Sequence, residues 1–159
     1  MSSRLAARTL ATLLLISAGA AFAADSSPAP EPATDPLAGA RAEIAAKRWG
    51  AALQQLKAVN DTGSADWNNL MGYSLRKGAS PDYAGAERYY DAALRIDPSH
   101  RGALEYSGEL YLMLGQLPRA EARVATLEKV CRGSCEELAD LKKAVAAYKA
   151  NGNRYVAAP

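Results

Sequence analysis

What this sequence lacks first is any material for strands. Val, Ile and Thr never gather into alternating apolar and polar runs, so the period-two pattern of a half-buried sheet is missing. Phe and His occur once each and Cys twice in 159 residues. That leaves too few soft ligands for a His- or Cys-built metal centre, with His100 alone in its region. No Gly-rich phosphate loop, Gly-x-Ser-x-Gly elbow or His-Glu-x-x-His helix occurs. Carboxylate pairs such as Glu136-Glu137 and Glu105/Glu109 have basic neighbours and read as solvated helix faces. The expectation is a protein that is not an enzyme and needs no cofactor or metal. Beyond the first residues no run is long and apolar enough to span a bilayer, which takes about 20 residues.

What is present begins with Arg4 and Arg8, the uncharged stretch from Leu10 to Ala21, and the small-residue pattern Ala21-Phe22-Ala23. This order is that of a secretory signal peptide over 1–23, cut after Ala23. A periplasmic or secreted location follows as an expectation, with no stable membrane insertion after cleavage. Without that segment the chain holds 17 basic and 17 acidic residues. A neutral chain offers no basic surface for nucleic acid, whose binding rests on counterion release. Residues 24–36, rich in Pro, Ala and acids, read as a linker with little to bury.

The body of the chain repeats itself. Trp49, Tyr83 and Leu117 are spaced 34 apart, as are Ala52, Ala86 and Ala120, then Leu56, Tyr90 and Val124, then Val59, Ala93 and Leu127. The second copy runs Trp67-x2-Leu70, Gly78, Tyr83-x2-Ala86-x3-Tyr90 and closes on Asp97-Pro98. The third keeps Gly108-x2-Tyr111, Gly115, Ala120 and Val124, while the first matches chiefly from Trp49 to Val59. A 34-residue helical period with these residues resembles the tetratricopeptide repeat, whose unit is a helix-turn-helix. Met71 and Ser74 depart from that family's usual Gly and Tyr, and Leu104 and Arg132 from its opening Trp and closing Pro.

The resemblance, over about 37–132, implies an all-α, right-handed solenoid of about three helix pairs. Its units lie at about 37–63, 64–98 and 101–132, with a capping helix at 135–151 and a tail at 153–159. Boundary signals agree with seven helices: six open at Asp35-Pro36, Ser64, Ser80-Pro81-Asp82, Ser99, Pro118 and Ser134-x-x-Glu137, the last a capping box, and helix two runs from Trp49 to Asn60. Gly78 and Gly115 fit inner turns that need positive φ. Leu138, Leu141, Val145 and Tyr148 share one face of the last helix, as a solenoid cap requires. Tyr83, Tyr90 and Tyr111 fall in repeat columns and belong to the core; Tyr89 and Tyr106 do not, and remain candidates for a surface anchor.

Resemblance to the family further implies a concave groove for a protein or peptide, lined by the first helix of each pair. Carried onto this chain, its side chains are Arg41, Asn68, Asn69, Arg76, Glu105, Tyr106 and Glu109. Asn amides suit an extended backbone, the arginines an acid and the glutamates a base. The family's carboxylate-clamping subset is matched only at Asn69; Leu37, Gly102 and Tyr106 depart from it. Cys131 and Cys135 in an exported chain pair most often as a disulfide, with free thiols, redox chemistry or metal handling as alternatives. The functional expectation is a partner-binding adaptor, with a thiol or metal protein and a self-assembling module as its rivals. Partner identity and oligomeric state have no signature in the sequence.

Overall fold

The computed structural model describes residues 35–155. The leader at 1–23 and nearly all of the 24–36 linker lie outside the described residues, as does the end of the tail. Seven helices and no strand occur among the described residues: α1 Ala38–Ala45, α2 Trp49–Val59, α3 Ala65–Lys77, α4 Tyr83–Ile96, α5 Arg101–Met113, α6 Leu117–Val130 and α7 Glu136–Ala150. None of these helices is long and apolar enough to cross a membrane.

Local chemistry sets their ends. Ser64 accepts a hydrogen bond from Trp67 N at 3.2 Å and opens α3. Asp82 accepts from Gly85 N at 2.8 Å and opens α4. A Cβ on Gly85 would stand 2.2 Å from that carboxylate, so the cap and the glycine go together. Two expected caps are corrected. At α5 the cap is His100, whose Nδ1 accepts from Ala103 N at 3.1 Å, while Ser99 bonds to Asp97 instead. At α7 the capping residue is Cys135 with no side-chain bond, because the disulfide holds the chain there and Ser134 falls outside. α1 also opens two residues later than Asp35-Pro36 suggests: Leu37 is at the cap position without a side-chain bond, and the Asp35 carboxylate accepts from Leu37 N at 2.9 Å ahead of it.

The inner turns differ from one another. Gly115 takes the left-handed conformation, φ 73, between α5 and α6. Gly78 is instead extended at φ −60, since the longer α3–α4 connection reaches Asp82 without a tight reversal. In the first pair, two repeat periods before Gly115, Lys47 itself is left-handed at φ 57. A side chain there costs about 1–2 kcal/mol, partly offset because glycine would lose more freedom on folding. Lys47→Gly is therefore expected to stabilise the chain by about 0.5–1 kcal/mol, read as a higher urea midpoint with unchanged slope. A loss of stability would contradict the assigned turn.

Packing follows the repeat columns. Ala52, Ala86 and Ala120 are fully buried at the crossings within each pair. At the α3–α4 crossing a Cβ on Gly72 would stand 2.8 Å from Tyr90 and 3.1 Å from the Ala86 carbonyl oxygen. Small residues let the backbones approach, and Tyr90 fills the space beside them. The core forms three clusters along the solenoid. The first joins Leu37, Leu56, Trp67 and Met71; the second Ala86, Tyr90 and Leu110; the third Leu104, Tyr111 and Leu127 with Leu138, Leu141, Val145 and Tyr148 of α7. The last helix closes the array with the four residues expected of it. Tyr83 is only half buried, at the edge of the second cluster, and Tyr89 packs edge-on against Trp67 at 5.8 Å, so it is no free anchor.

Candidate functional site

The first helices of the units, α1, α3 and α5, succeed one another along one face, and α7 continues it against α5. At the amino-terminal end of this face a chain of polar contacts crosses the units. Arg41 pairs with Asp35 at 3.3 Å and with Asp66 at 2.8 Å, and His100, whose Nδ1 accepts from Ala103 N, donates its Nε2–H to Asp66 at 2.9 Å. Burial alone would raise the Asp66 pKa, but His100 and Arg41 outweigh it and hold the carboxyl below its usual range. Arg41 thus already has two carboxylates from its own chain. His100 is both helix cap and inter-repeat contact, its ring held from two sides.

Asn68 is buried and directs its amide to the carbonyls of Thr62 and Ser64 at 2.9 and 2.8 Å. Its donors hold the α2–α3 turn, which takes them out of the set able to meet a ligand. Asn69, one residue on, turns toward α5 and lies beside Gly102, where a Cβ would stand 3.1 Å from its Nδ2. Its Oδ1 is buried without a partner among the described residues.

The centre of the face is built around Arg76. Its side chain is 2 % exposed and its Nη1 meets Glu109 Oε2 at 2.6 Å. Tyr73 and Tyr106 flank it, with ring centroids 5.4 and 5.6 Å from the guanidinium carbon. The two rings are 4.5 Å apart, and Trp49 meets Tyr73 edge-on at 5.8 Å. An aromatic row therefore runs from the first unit to the third, beside one buried ion pair. Burial opposes the charge on Arg76, but the Glu109 carboxylate beside it offsets that cost, and the guanidinium pKa stands above its usual value. Among the described residues the Tyr90 hydroxyl lies near that charge without a well-directed hydrogen bond, and Arg76 Nε likewise has no partner. Burial, then the neighbouring Glu105, pushes the Tyr106 hydroxyl upward.

The structure brings Asn69, Arg76, Glu105, Tyr106 and Glu109 onto one surface and engages Arg41 and Asn68 elsewhere. Sequence reasoning missed Tyr73 and Tyr155. Tyr73 had a signal, four residues after Asn69 and three before Arg76 on one helical face. Tyr155 had none. After α7 the chain reverses through Gly152 and Asn153, both left-handed, and Asn153 N bonds to the Tyr148 carbonyl at 2.9 Å. Tyr155 is then half buried near Arg76 and Glu109, where burial and Glu109 raise its hydroxyl pKa.

A polar cleft of about 650 Å³ lies apart from this centre, between His100, Arg101, Arg132 and Glu137. Cys131 and Cys135 at its wall are joined by a disulfide, with Cα atoms 5.6 Å apart. Their sulfurs and a Glu137 oxygen lie within 4.8 Å of one another. Bonded to each other, the sulfurs offer no thiolate for metal or redox attack.

Residues 79–145 match the family model described as tetratricopeptide repeat. That window runs from before α4 into α7, so the capping helix continues the repeat pattern as the first helix of a further unit would. No curated protein matches the chain.

Proposed function

Because the chain belongs to the tetratricopeptide-repeat family, whose members generally mediate protein–protein interactions, we propose that it is a non-enzymatic adaptor that holds a peptide segment of a partner protein along the face of α1, α3 and α5. The observation that carries this reading is the aromatic row Trp49, Tyr73 and Tyr106 laid beside the Arg76–Glu109 pair. Aromatic rings supply large contact area at small conformational cost, and a fixed ion pair beside them orients polar groups of an extended chain.

The proposed site of action is outside the cytoplasm. The leader-like residues 1–23 support this, as does the Cys131–Cys135 disulfide, which persists best in an oxidising compartment.

A photo-reactive benzoylphenylalanine at Tyr106 tests the groove. Expressed in cells and irradiated, it is expected to cross-link to a discrete partner, whereas the same group at exposed Arg88 on α4 gives none. Cross-linking from Arg88 alone, or equally from both, would overturn the assignment.

A further inference from the structure

Glu105 is 8 % exposed, yet it makes no hydrogen bond or ion pair among the described residues. The charged groups acting on it come from its own helix and from both flanking ones. Glu109 lies one turn on in α5, Arg76 stands across on α3, and Glu137 and Asp140 stand across on α7. Tyr73 and Tyr106 bound the same space. The cations nearby are already engaged: Arg76 with Glu109 at 2.6 Å, and Arg101 with Glu137 at 3.6 Å. Glu105 and the exposed Asp140 make no ion pair among the described residues; of the α7 lysines, Lys142 and Lys149 pair with Glu128 and Glu121, and Lys143 is exposed one turn beyond Asp140. A largely covered glutamate whose carboxylate oxygens still reach solvent, with no partner among the described residues and a second carboxylate one turn on, lacks one component, a cation.

We propose that Glu105 forms the floor of a subsite for a basic side chain, the ammonium of a lysine or the guanidinium of an arginine on the bound peptide. The inference rests on the groove reading above and specifies what the groove selects. The incoming cation pairs with the Glu105 carboxylate, its aliphatic stem lies along Tyr106 and Tyr73, and Asp140 meets it at the rim. An acidic side chain would face Glu105, Glu109 and Asp140 together and is rejected. In the free protein burial, then Glu109, Asp140 and Glu137, push the Glu105 carboxyl up to about 8. Near neutrality it is therefore protonated, and each cation bound releases one proton to solvent.

The probes are acetylated, amidated pentapeptides of alanine with arginine, lysine or glutamate at the centre, titrated into the full chain and followed by NMR. The arginine and lysine probes are expected to shift the Glu105 carboxyl carbon and the Tyr106 ring in a saturable way, and the glutamate probe to leave both unmoved. Affinity for the basic probes should rise about tenfold or more between about pH 6.5 and pH 8.5, as deprotonation makes the competent form abundant. Glu105→Gln should weaken binding and remove that pH dependence, which a merely structural role would leave in place. Asp140→Asn, at an exposed position, should weaken binding slightly and keep it. Equal response to the glutamate probe, undiminished binding by Glu105→Gln, a flat pH profile in the wild type, or no shift at about 20 mM probe would each overturn the subsite. If Tyr106 still cross-links to a partner while the basic probes fail, the subsite is wrong and the groove stands; loss of both removes the groove as well.

Discussion

Glu105→Gln is expected to stabilise the protein at alkaline pH and to leave it nearly unchanged at about pH 4. The folded-state pKa of about 8 lies above the ordinary carboxyl value of 4.5. Below 4.5 both states carry the proton and Glu105 does no harm. As pH rises toward 8 the unfolded chain loses the proton while the folded chain keeps it, so stability falls across that window and levels off above it. At about 1.36 kcal/mol per pH unit the full penalty approaches ~5 kcal/mol. Part of it belongs jointly to Glu109, Asp140 and Glu137, and residual water screens the remainder. A single substitution is therefore expected to recover about 2–3 kcal/mol at pH 9. Urea unfolding of both proteins at the two pH values measures it. An equal difference at both pH values would mean that Glu105 is not held protonated by its surroundings.

Arg76→Met should cost about 3–5 kcal/mol, the usual consequence of removing one partner from a buried ion pair. The side chain is 2 % exposed and meets Glu109 at 2.6 Å. Its loss leaves Glu109 facing Glu105 and removes the cation beside the Tyr73 and Tyr106 rings. Glu109 is 21 % exposed, so water reaches its carboxylate and draws the cost toward the lower end. The double variant Arg76→Met, Glu109→Gln should unfold less easily than the two single costs predict together, with a coupling of about 1–3 kcal/mol. Strict additivity in urea unfolding would show that the pair contributes nothing as a pair.

Both effects arise at side chains whose presence on one face could be read from the period, but whose environment could not. Ala52, Ala86 and Ala120 announced the helix crossings because only a small residue fits there, and all three are fully buried. The face of Leu138, Leu141, Val145 and Tyr148 was legible for the same reason, helical spacing being a local property. Partner choice is not local. Arg41 and Arg76 look alike in the sequence, yet one finds Asp35 and Asp66 at the surface and the other is enclosed with Glu109. Asn68 and Asn69 are adjacent, and a rotation of about 100° along the helix sends one to the preceding turn and the other toward α5. Ser99 and His100 are both plausible caps by position; the ring was chosen because Nε2 can also reach Asp66 one repeat away. Tyr155 follows the last helix, where no periodicity remained to place it.

The most direct test of the central claim is hydrogen exchange of the free chain against its complex with the partner captured at Tyr106. The account predicts slowed exchange in α3 and α5, centred on Tyr73, Arg76 and Tyr106, with α2, α4 and α6 unchanged on their outer sides. Protection confined to α2, α4 and α6, with α3 and α5 exchanging as before, would contradict it.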